Sequence, residues 1–213
     1  STQAKTLFPY TTLFRSDFPT WQTNAAKAAR DEARARGETP LLVKDALVVA
    51  EMATALLDHR LGSMLLAKGQ PEVSAFAPDP ATGVMRRGRV DWLSRHVITD
   101  YKTAATADPA AFGRSAAAYG YHMQAAWYLD LWRDLGADVE AFAFIVQEKE
   151  PPYLVEVIEL DDRAVDRGRV LNARALERYR DCQVSGVWPG YSGRDDQSTT
   201  VDLPPWAYRD EER

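Results

Sequence analysis

Two acids and a lysine stand close together near the middle of the sequence. The stretch 88–102 reads GRVDWLSRHVITDYK and contributes Asp91, Asp100 and Lys102. Side chains alternate between the two faces of a strand, so Asp100 and Lys102 project to the same side if this stretch is extended. Carboxylates can hold Mg²⁺, which prefers oxygen ligands and keeps several waters. The bound cation would polarise a phosphodiester and acidify water, while the ammonium group neutralises charge that develops on the phosphorus.

The residues around this cluster predict three antiparallel strands. Alternation predicts a strand at 72–77, turn residues follow at 79–83, and two more strands are predicted at 89–93 and 97–103. The three strands would bring Glu72 to the same place as Asp91 and Asp100. Glu72 is either a cation ligand or a surface carboxylate at a strand end, and the sequence favours neither reading. Alternatively, Asp91, Asp100 and Lys102 form salt bridges on a surface hairpin and have no catalytic role.

The rest of the chain predicts helices on both sides of these strands. Capping residues, helical spacing and terminal glycines indicate helices at about 20–36, 40–58, 61–67, 109–115, 119–135 and 161–185. Strands are predicted at 141–147 and 153–160, and the first is nearly all apolar, as in a central strand. The expected fold is α/β, with a mixed central sheet of about five strands flanked by helices.

Three further side chains could belong to a site. Gln124 and Tyr128 are four residues apart on a predicted helix and therefore share one face. The amide could donate to a phosphate oxygen, and the phenol could do the same or orient Lys102; alternatively, both simply pack. His59 lies between two predicted helices, where a cap or packing role is favoured over metal binding.

Composition limits the class of protein. The 213 residues suit one domain, and the net charge of −5 argues mildly against nucleic acid, although arginines cluster at 86–89 and basic residues at 27–36. Cys182 is the single cysteine, so neither an intrachain disulfide nor a cysteine-based zinc site is expected. No apolar run has the length of a membrane span, and the first residues lack a signal-peptide pattern. These features favour a cytoplasmic protein that does not bind membranes.

The order of the motifs resembles a known family. Asp91 followed by Asp100-Tyr101-Lys102 resembles the PD-(D/E)XK nuclease signature, which is weak alone because D-x-K is common. The resemblance narrows to the catalytic domain of RecE-type exonuclease VIII through five ordered segments, EVS (72–74), GRVDW (88–92), ITDYKT (98–103), YGYHMQAAWY (119–128) and VDLPPWA (201–207). It covers about residues 17–207. Val90 stands where many relatives have proline, and the family's upstream histidine motif is missing.

The resemblance implies a restriction-endonuclease-like core and a Mg²⁺-dependent DNA exonuclease, with Mn²⁺ as the alternative cation. Asp91 and Asp100 would bind the cation, with the Tyr101 carbonyl and Glu72 as further ligands. Lys102 would position water, while Gln124 and Tyr128 would contact substrate. The family also implies 5′-to-3′ digestion of duplex ends, a ring-like homo-oligomer, a single-strand annealing partner and phage-type recombination. A catalytically inactive DNA-binding protein and a Mg²⁺-dependent phosphoesterase on other substrates remain open.

The first residues differ in character from the rest. Residues 6–16, TLFPYTTLFRS, resemble the in-frame translation of a sequencing-adapter oligonucleotide, although the segment also has β propensity. We therefore expect residues 1–16 to be an adapter-like, disordered segment and residues 17–213 to be a single exonuclease-like domain. The chain is then expected to lack the family's first metal-binding motif and to be weakly active or inactive.

Overall fold

The computed structural model describes residues 12–193 and 196–211 of the chain. The strands within these ranges are β1 Thr12–Ser16, β2 Glu38–Leu42, β3 Gln70–Pro78, β4 Met85–Leu93, β5 Val97–Ala104, β6 Ala141–Glu148 and β7 Val155–Glu159. The α-helices are α1 Asn24–Ala35, α2 Val43–Asp58, α3 Arg60–Leu66, α4 Pro109–Tyr119, α5 Tyr121–Asp134 and α6 Asp162–Ser185, and a 3₁₀ helix spans Pro205–Glu211.

A mixed five-stranded sheet forms the centre of the fold. Its order is β3-β4-β5-β6-β7, with β5 and β6 parallel and the other neighbours antiparallel. Helix α5 packs on one face, and α2 lies against the other, where Gln147 of β6 donates to the Met52 carbonyl at 2.9 Å. The predicted α/β fold with about five strands is confirmed.

Strand β6 is buried on both faces. Residues 142–147 are at most 5% exposed, and Phe142, Phe144 and Val146 belong to the core formed with α4 and α5. A strand covered by helices on both sides needs a continuous apolar run rather than alternation. The parallel β5–β6 pairing then places Asp100 beside Phe144 and Lys102 beside Val146 on the α5 side of the sheet.

The N-terminal part of the chain differs from the prediction. Thr39 and Pro40 were expected to open a helix, but Glu38–Leu42 forms β2, and the helix begins at Val43. Strand β2 pairs in parallel with β1 in a separate two-stranded sheet, where proline is tolerated because each strand has a free edge.

Strand β1 lies within the adapter-like segment, residues 6–16. The expectation that residues 6–16 have no place in the fold is wrong for Thr12–Ser16, because these residues pair with β2 and Ser16 is buried. Leu13 and Phe14 have high β propensity, and they pair with β2, a segment that was expected to begin a helix. Residues 6–11 lie outside the described part of the chain, and the division of the chain at residue 16 stays a prediction.

Gly120 separates the two helices predicted in this part of the chain and sets their boundary later than expected. Its φ of +73° closes α4 and precedes α5, a conformation that glycine adopts at little cost. The helix expected at 109–115 therefore extends to Tyr119, and the next begins at Tyr121. This break places Gln124 in the first turn of α5, where it faces β5.

Among the described residues, no helix has both the length and the hydropathy that a membrane crossing requires.

Candidate active site

Strands β4 and β5 pair briefly and then separate. Their register contains only Trp92 opposite Thr99 and Leu93 opposite Ile98. The next ladder bond is replaced by a side chain, because the Tyr101 N–H donates to Asp91 Oδ2 at 3.1 Å. Asp91 therefore lies at the edge of β5, where the two strands diverge.

The backbone of Tyr101 faces the same gap. In an extended strand the N–H and C=O of one residue point to the same side, so the Tyr101 carbonyl also points towards β4. Its side chain lies on the α2 face of the sheet, where the hydroxyl donates to Gln147 Oε1 at 2.6 Å. Burial raises the pKa of the Tyr101 phenol. The side chain thus anchors β5 from behind while the carbonyl faces the gap.

Asp100 is a buried acid with two different partners. It is 3% exposed, and Gln124 Nε2 donates to its Oδ1 at 2.6 Å. Lys102 Nζ lies 2.5 Å from Oδ2, although this contact lacks the angular geometry of a hydrogen bond. The two oxygens of Asp100 therefore have different partners, an amide at Oδ1 and an ammonium group at Oδ2.

Asp91 accepts a hydrogen bond from the backbone of the residue that follows Asp100, and its charge acts on the Asp100 carboxylate. Burial is the largest influence on Asp100 and raises the pKa of its carboxyl group. The ion pair with Lys102 and the hydrogen bond from Gln124 oppose this rise, whereas the charge of Asp91 adds to it. The pKa of Asp100 is raised overall. Two interacting carboxylates, one of them desolvated, form a site that favours a cation.

Lys102 lies between the buried Asp100 carboxylate and the solvent. Its side chain is 25% exposed, and Nζ also lies 4.9 Å from the centre of the Tyr121 ring. The ring face and the carboxylate both attract the ammonium group. The ammonium group is therefore fixed at the mouth of the site.

Gln124 and Tyr128 lie on the same helix but have different neighbours, the site for Gln124 and the core for Tyr128. Gln124 contacts Asp100 directly. The Tyr128 ring packs against Phe142 and Trp132, at centroid distances of 6.1 and 6.0 Å, and against Gly88. Within the described part of the chain its hydroxyl has no hydrogen-bond partner. One helical turn, about 5.4 Å, separates the two residues, so sharing a face does not place both at the acids. The half-buried Tyr128 ring packs against the core, and its contact with substrate stays a prediction.

Glu72 lies opposite Asp91 in the β3–β4 register, between the pairs Pro71–Trp92 and Val73–Val90. Its φ of +55° is uncommon for glutamate and interrupts the ladder at this point. The Glu72 carboxylate is half-exposed and lies 2.9 Å from the guanidinium of Arg89. The structure therefore gives Glu72 a surface ion pair next to the site, and its role as a ligand stays a prediction.

Comparison with known proteins decides the family. The sequence matches the PDDEXK-like domain of unknown function DUF3799 over residues 12–199. The chain belongs to this PDDEXK-like family. The match begins within the adapter-like string and includes all of β1. A search of curated proteins found no match.

Solved structures support the fold of this PDDEXK-like domain. A crystal structure of a protein named a putative exonuclease from Eubacterium rectale is similar with a TM-score of 0.54 and 14% identity, over 88% of this chain and 74% of that one. A second structure, named SSO0001, has a TM-score of 0.32 and 17% identity over 66% of this chain and 68% of that one, too low to carry an argument. The first likeness shows a shared fold.

The donors at the split of the PDDEXK-like sheet suit a divalent cation. Asp91 and Asp100 offer carboxylate oxygens, and the Tyr101 carbonyl faces the same gap. An all-oxygen set is the kind that Mg²⁺ and Mn²⁺ accept. Asp100 Oδ2 is buried beside the Lys102 ammonium group, so a cation bound there would lie next to Nζ.

A second group of possible cation ligands was missed by the sequence analysis. His96, Asp138 and Glu140 offer ligand atoms within 4.8 Å of one another, at the start of the parallel strands β5 and β6. Only the parallel pairing brings these residues together, so sequence spacing gave no signal. His96 precedes Asp100 by four residues, or about 13 Å along the strand. This group is therefore separate from the Asp100 site.

His59 has a structural role in the PDDEXK-like domain. It caps α3, where its Nδ1 accepts a hydrogen bond from the Gly62 N–H at 3.0 Å. The capping role predicted for His59 is confirmed.

Proposed function

We propose that the protein is a metal-dependent nuclease that hydrolyses DNA phosphodiester bonds. The observation that supports this most directly is the arrangement around Asp100, whose carboxylate lies between Lys102 and Gln124 with the charge of Asp91 nearby. The residue types, their family and their position at the split of the sheet are those expected of a PD-(D/E)XK nuclease. The chain's acidic surface does not oppose this function, since a bound cation offsets the local charge.

Each residue of the site has a distinct task in this proposal. Asp91, Asp100 and the Tyr101 carbonyl would hold Mg²⁺, with Mn²⁺ as a substitute. The cation would supply Lewis acidity to the phosphodiester and lower the pKa of bound water. Lys102 would orient the attacking water and neutralise charge on the phosphorane. Gln124 would keep the Asp100 carboxylate in one orientation through its hydrogen bond to Oδ1.

The finer assignment is to an exonuclease of the RecE type. The support for it is the order of the five sequence segments, together with a fold shared with a protein named as an exonuclease. Processive 5′-to-3′ digestion of duplex ends, a ring-like oligomer and a single-strand annealing partner follow from this assignment and belong to the same proposal.

Substrate topology tests the proposal directly. End-labelled linear duplex and covalently closed circular duplex are incubated with the protein in Mg²⁺ and, separately, in EDTA. We expect slow release of labelled nucleotides from the linear duplex in Mg²⁺ only, with the circle intact. Lys27→Gln, which removes an exposed lysine on α1, a helix that contacts β1 and β2, serves as the control for Lys102→Gln.

The other outcomes discriminate among the alternatives. Cleavage of the circle would make the protein an endonuclease. Binding without hydrolysis would indicate a catalytically inactive DNA-binding protein. Hydrolysis restricted to small phosphodiesters would indicate a phosphoesterase that acts on other substrates.

A further inference from the structure

The ring of Tyr121 contacts both the aromatic core and the Lys102 ammonium group. Tyr121 is the first residue of α5 and follows the left-handed Gly120. Lys102 Nζ lies over its ring, 4.9 Å from the ring centre. The rings of Phe112 on α4 and Phe144 on β6 lie 5.7 and 5.8 Å from it, centre to centre. Tyr121 therefore joins the site to the core.

Aromatic packing holds the Tyr121 ring in place. Phe112 is 5% exposed and Phe144 is fully buried, and ring pairs at these distances attract each other. The Tyr121 hydroxyl has no hydrogen-bond partner in the part of the chain that the structure describes. What Tyr121 offers to Lys102 is thus an aromatic face in a fixed position, which phenylalanine would also supply.

Lys102 needs such a face because its other partner is the buried carboxylate. Nζ lies 2.5 Å from Asp100 Oδ2. A cation bound by that carboxylate would repel the neighbouring ammonium group, and repulsion between like charges is strong where water is excluded. The Lys102 side chain is 25% exposed, so it has a route into solvent. An attraction that the cation does not cancel is therefore required to keep the amine at the site.

The Tyr121 ring can provide this attraction. The face of an aromatic ring attracts an ammonium group through its quadrupole, and the ring carries no net charge for a bound cation to neutralise. Tyr128, which the sequence analysis considered for orienting Lys102, packs against Phe142 further along α5. The observed contact with Lys102 belongs to Tyr121.

We propose that Tyr121 is a positioning residue that keeps Lys102 at the site when a divalent cation occupies the carboxylates of Asp91 and Asp100. Without the ring, Lys102 moves into solvent as the cation binds, and it no longer orients the attacking water. The inference rests on the proposed nuclease function for the cation site. It adds a residue that acts on the reaction through Lys102.

A titration of the wild-type protein tests the inference without DNA. The ε-methylene NMR signals of ¹³C-labelled lysines are recorded in EDTA and in saturating Mg²⁺, and the Lys102 signal is identified by its absence from Lys102→Gln. An aromatic face shifts the protons that lie over it upfield. We expect the Lys102 signal to be shifted upfield in EDTA and to remain so in Mg²⁺. A signal at the position of a solvated lysine in either condition would overturn the inference.

Substitutions of Tyr121 distinguish positioning from a structural role. In Tyr121→Leu, the ¹³C heteronuclear NOE of the Lys102 ε-carbon should show order in EDTA, where Asp100 retains the amine, and mobility in Mg²⁺. Tyr121→Phe should keep Lys102 ordered in both conditions. For DNA cleavage, Tyr121→Leu should lower kcat about 10- to 100-fold with KM unchanged, whereas Tyr121→Phe should match the wild type. An ordered Lys102 in Tyr121→Leu with Mg²⁺ would contradict the inference.

Tyr119→Leu is the matched control. The Tyr119 ring lies 5.8 Å from that of Tyr121, but Tyr119 is 74% exposed, and among the described residues no cationic group lies over its ring. This variant should leave the order of Lys102 and kcat unchanged. If it has the same effect as Tyr121→Leu, disturbance of the α4–α5 junction explains both and the inference is wrong. If Tyr121→Leu does not fold, the wild-type titration decides alone.

The inference and the proposed function fail separately. If the wild type cleaves DNA in Mg²⁺ but Lys102 loses its upfield shift when Mg²⁺ binds, the inference is wrong and the nuclease stands. If Lys102 keeps its shift and its order in Mg²⁺ but no DNA is cleaved, the nuclease proposal fails and the positioning of Lys102 by Tyr121 stands.

Discussion

Gln124 and Tyr128 occupy one helical face but have different surroundings. Gln124 donates to Asp100, whereas Tyr128 packs in the core. We predict that Gln124→Ala lowers cation affinity and cleavage rate by about 10- to 100-fold, because the metal-binding carboxylate loses its orienting hydrogen bond. Tyr128→Phe should leave cation affinity unchanged, since the hydroxyl has no hydrogen bond to lose within the described part of the chain, and should lower the cleavage rate only if the hydroxyl contacts substrate. Mn²⁺ titration by calorimetry and the cleavage rate check both variants, and a large loss for Tyr128→Phe would restore Tyr128 as a substrate contact.

The stability of the metal-free protein depends on pH through the Asp100 carboxyl group. Its pKa is raised, chiefly by burial, so the folded state binds this proton more tightly than the unfolded chain. Its contribution to stability is therefore fully present below the unfolded pKa of about 3.9 and declines as pH rises through the folded pKa. We predict that Asp100→Asn gains stability relative to wild type as pH rises through this window. Urea unfolding in EDTA at several pH values measures the difference, and a trend of opposite sign would contradict it.

Some residue roles could not be obtained from the sequence. Alternation placed Asp100 and Lys102 together correctly, because β5 is a regular strand. It could not show that Glu72 has a positive φ, or that β4 and β5 separate after two pairs. Both features arise from tertiary geometry, which a local pattern does not encode.

At the scale of elements, the packing of α5 against α6 depends on a glycine. A Cβ at Gly168 would lie 2.1 Å from the His122 carbonyl oxygen, which is backbone and cannot rotate away. Gly168→Ala should therefore cost about 1–3 kcal/mol or more. Gly113 is also helical, but a Cβ there has nothing within 4 Å, so Gly113→Ala should stabilise by about 0.4–1 kcal/mol. Thermal unfolding of both variants measures the contrast, and a similar Tm change in both would show that the α5–α6 contact is not close.

Long periodic elements were predictable, and their boundaries were less so. The apolar run of β6 and the capped helix α6 match the sequence analysis closely. Strand β2 was missed because it depends on β1, a partner far away in sequence. The boundary between α4 and α5 was predicted too early in the chain, because a left-handed glycine can end one helix and precede another without a polar turn.

At the scale of the whole molecule, the account assigns hydrolysis to one end of a split sheet. The competing cation group of His96, Asp138 and Glu140 lies about 13 Å away along β5. Both groups contain carboxylates, so a treatment that neutralises all acids would affect both and could not show which group binds the catalytic cation. Variants that remove one carboxylate from each group can.

The most direct measurement compares Asp100→Asn with Asp138→Asn in Mg²⁺-dependent release of nucleotides from linear duplex DNA. Both substitutions remove one carboxylate and keep the shape of the side chain. Folding is verified by circular dichroism before the rates are compared. The account predicts that Asp100→Asn reduces the rate to background and that Asp138→Asn cleaves at the wild-type rate. An active Asp100→Asn protein, or loss of activity only in Asp138→Asn, would contradict the assignment of the active site to Asp91, Asp100 and Lys102.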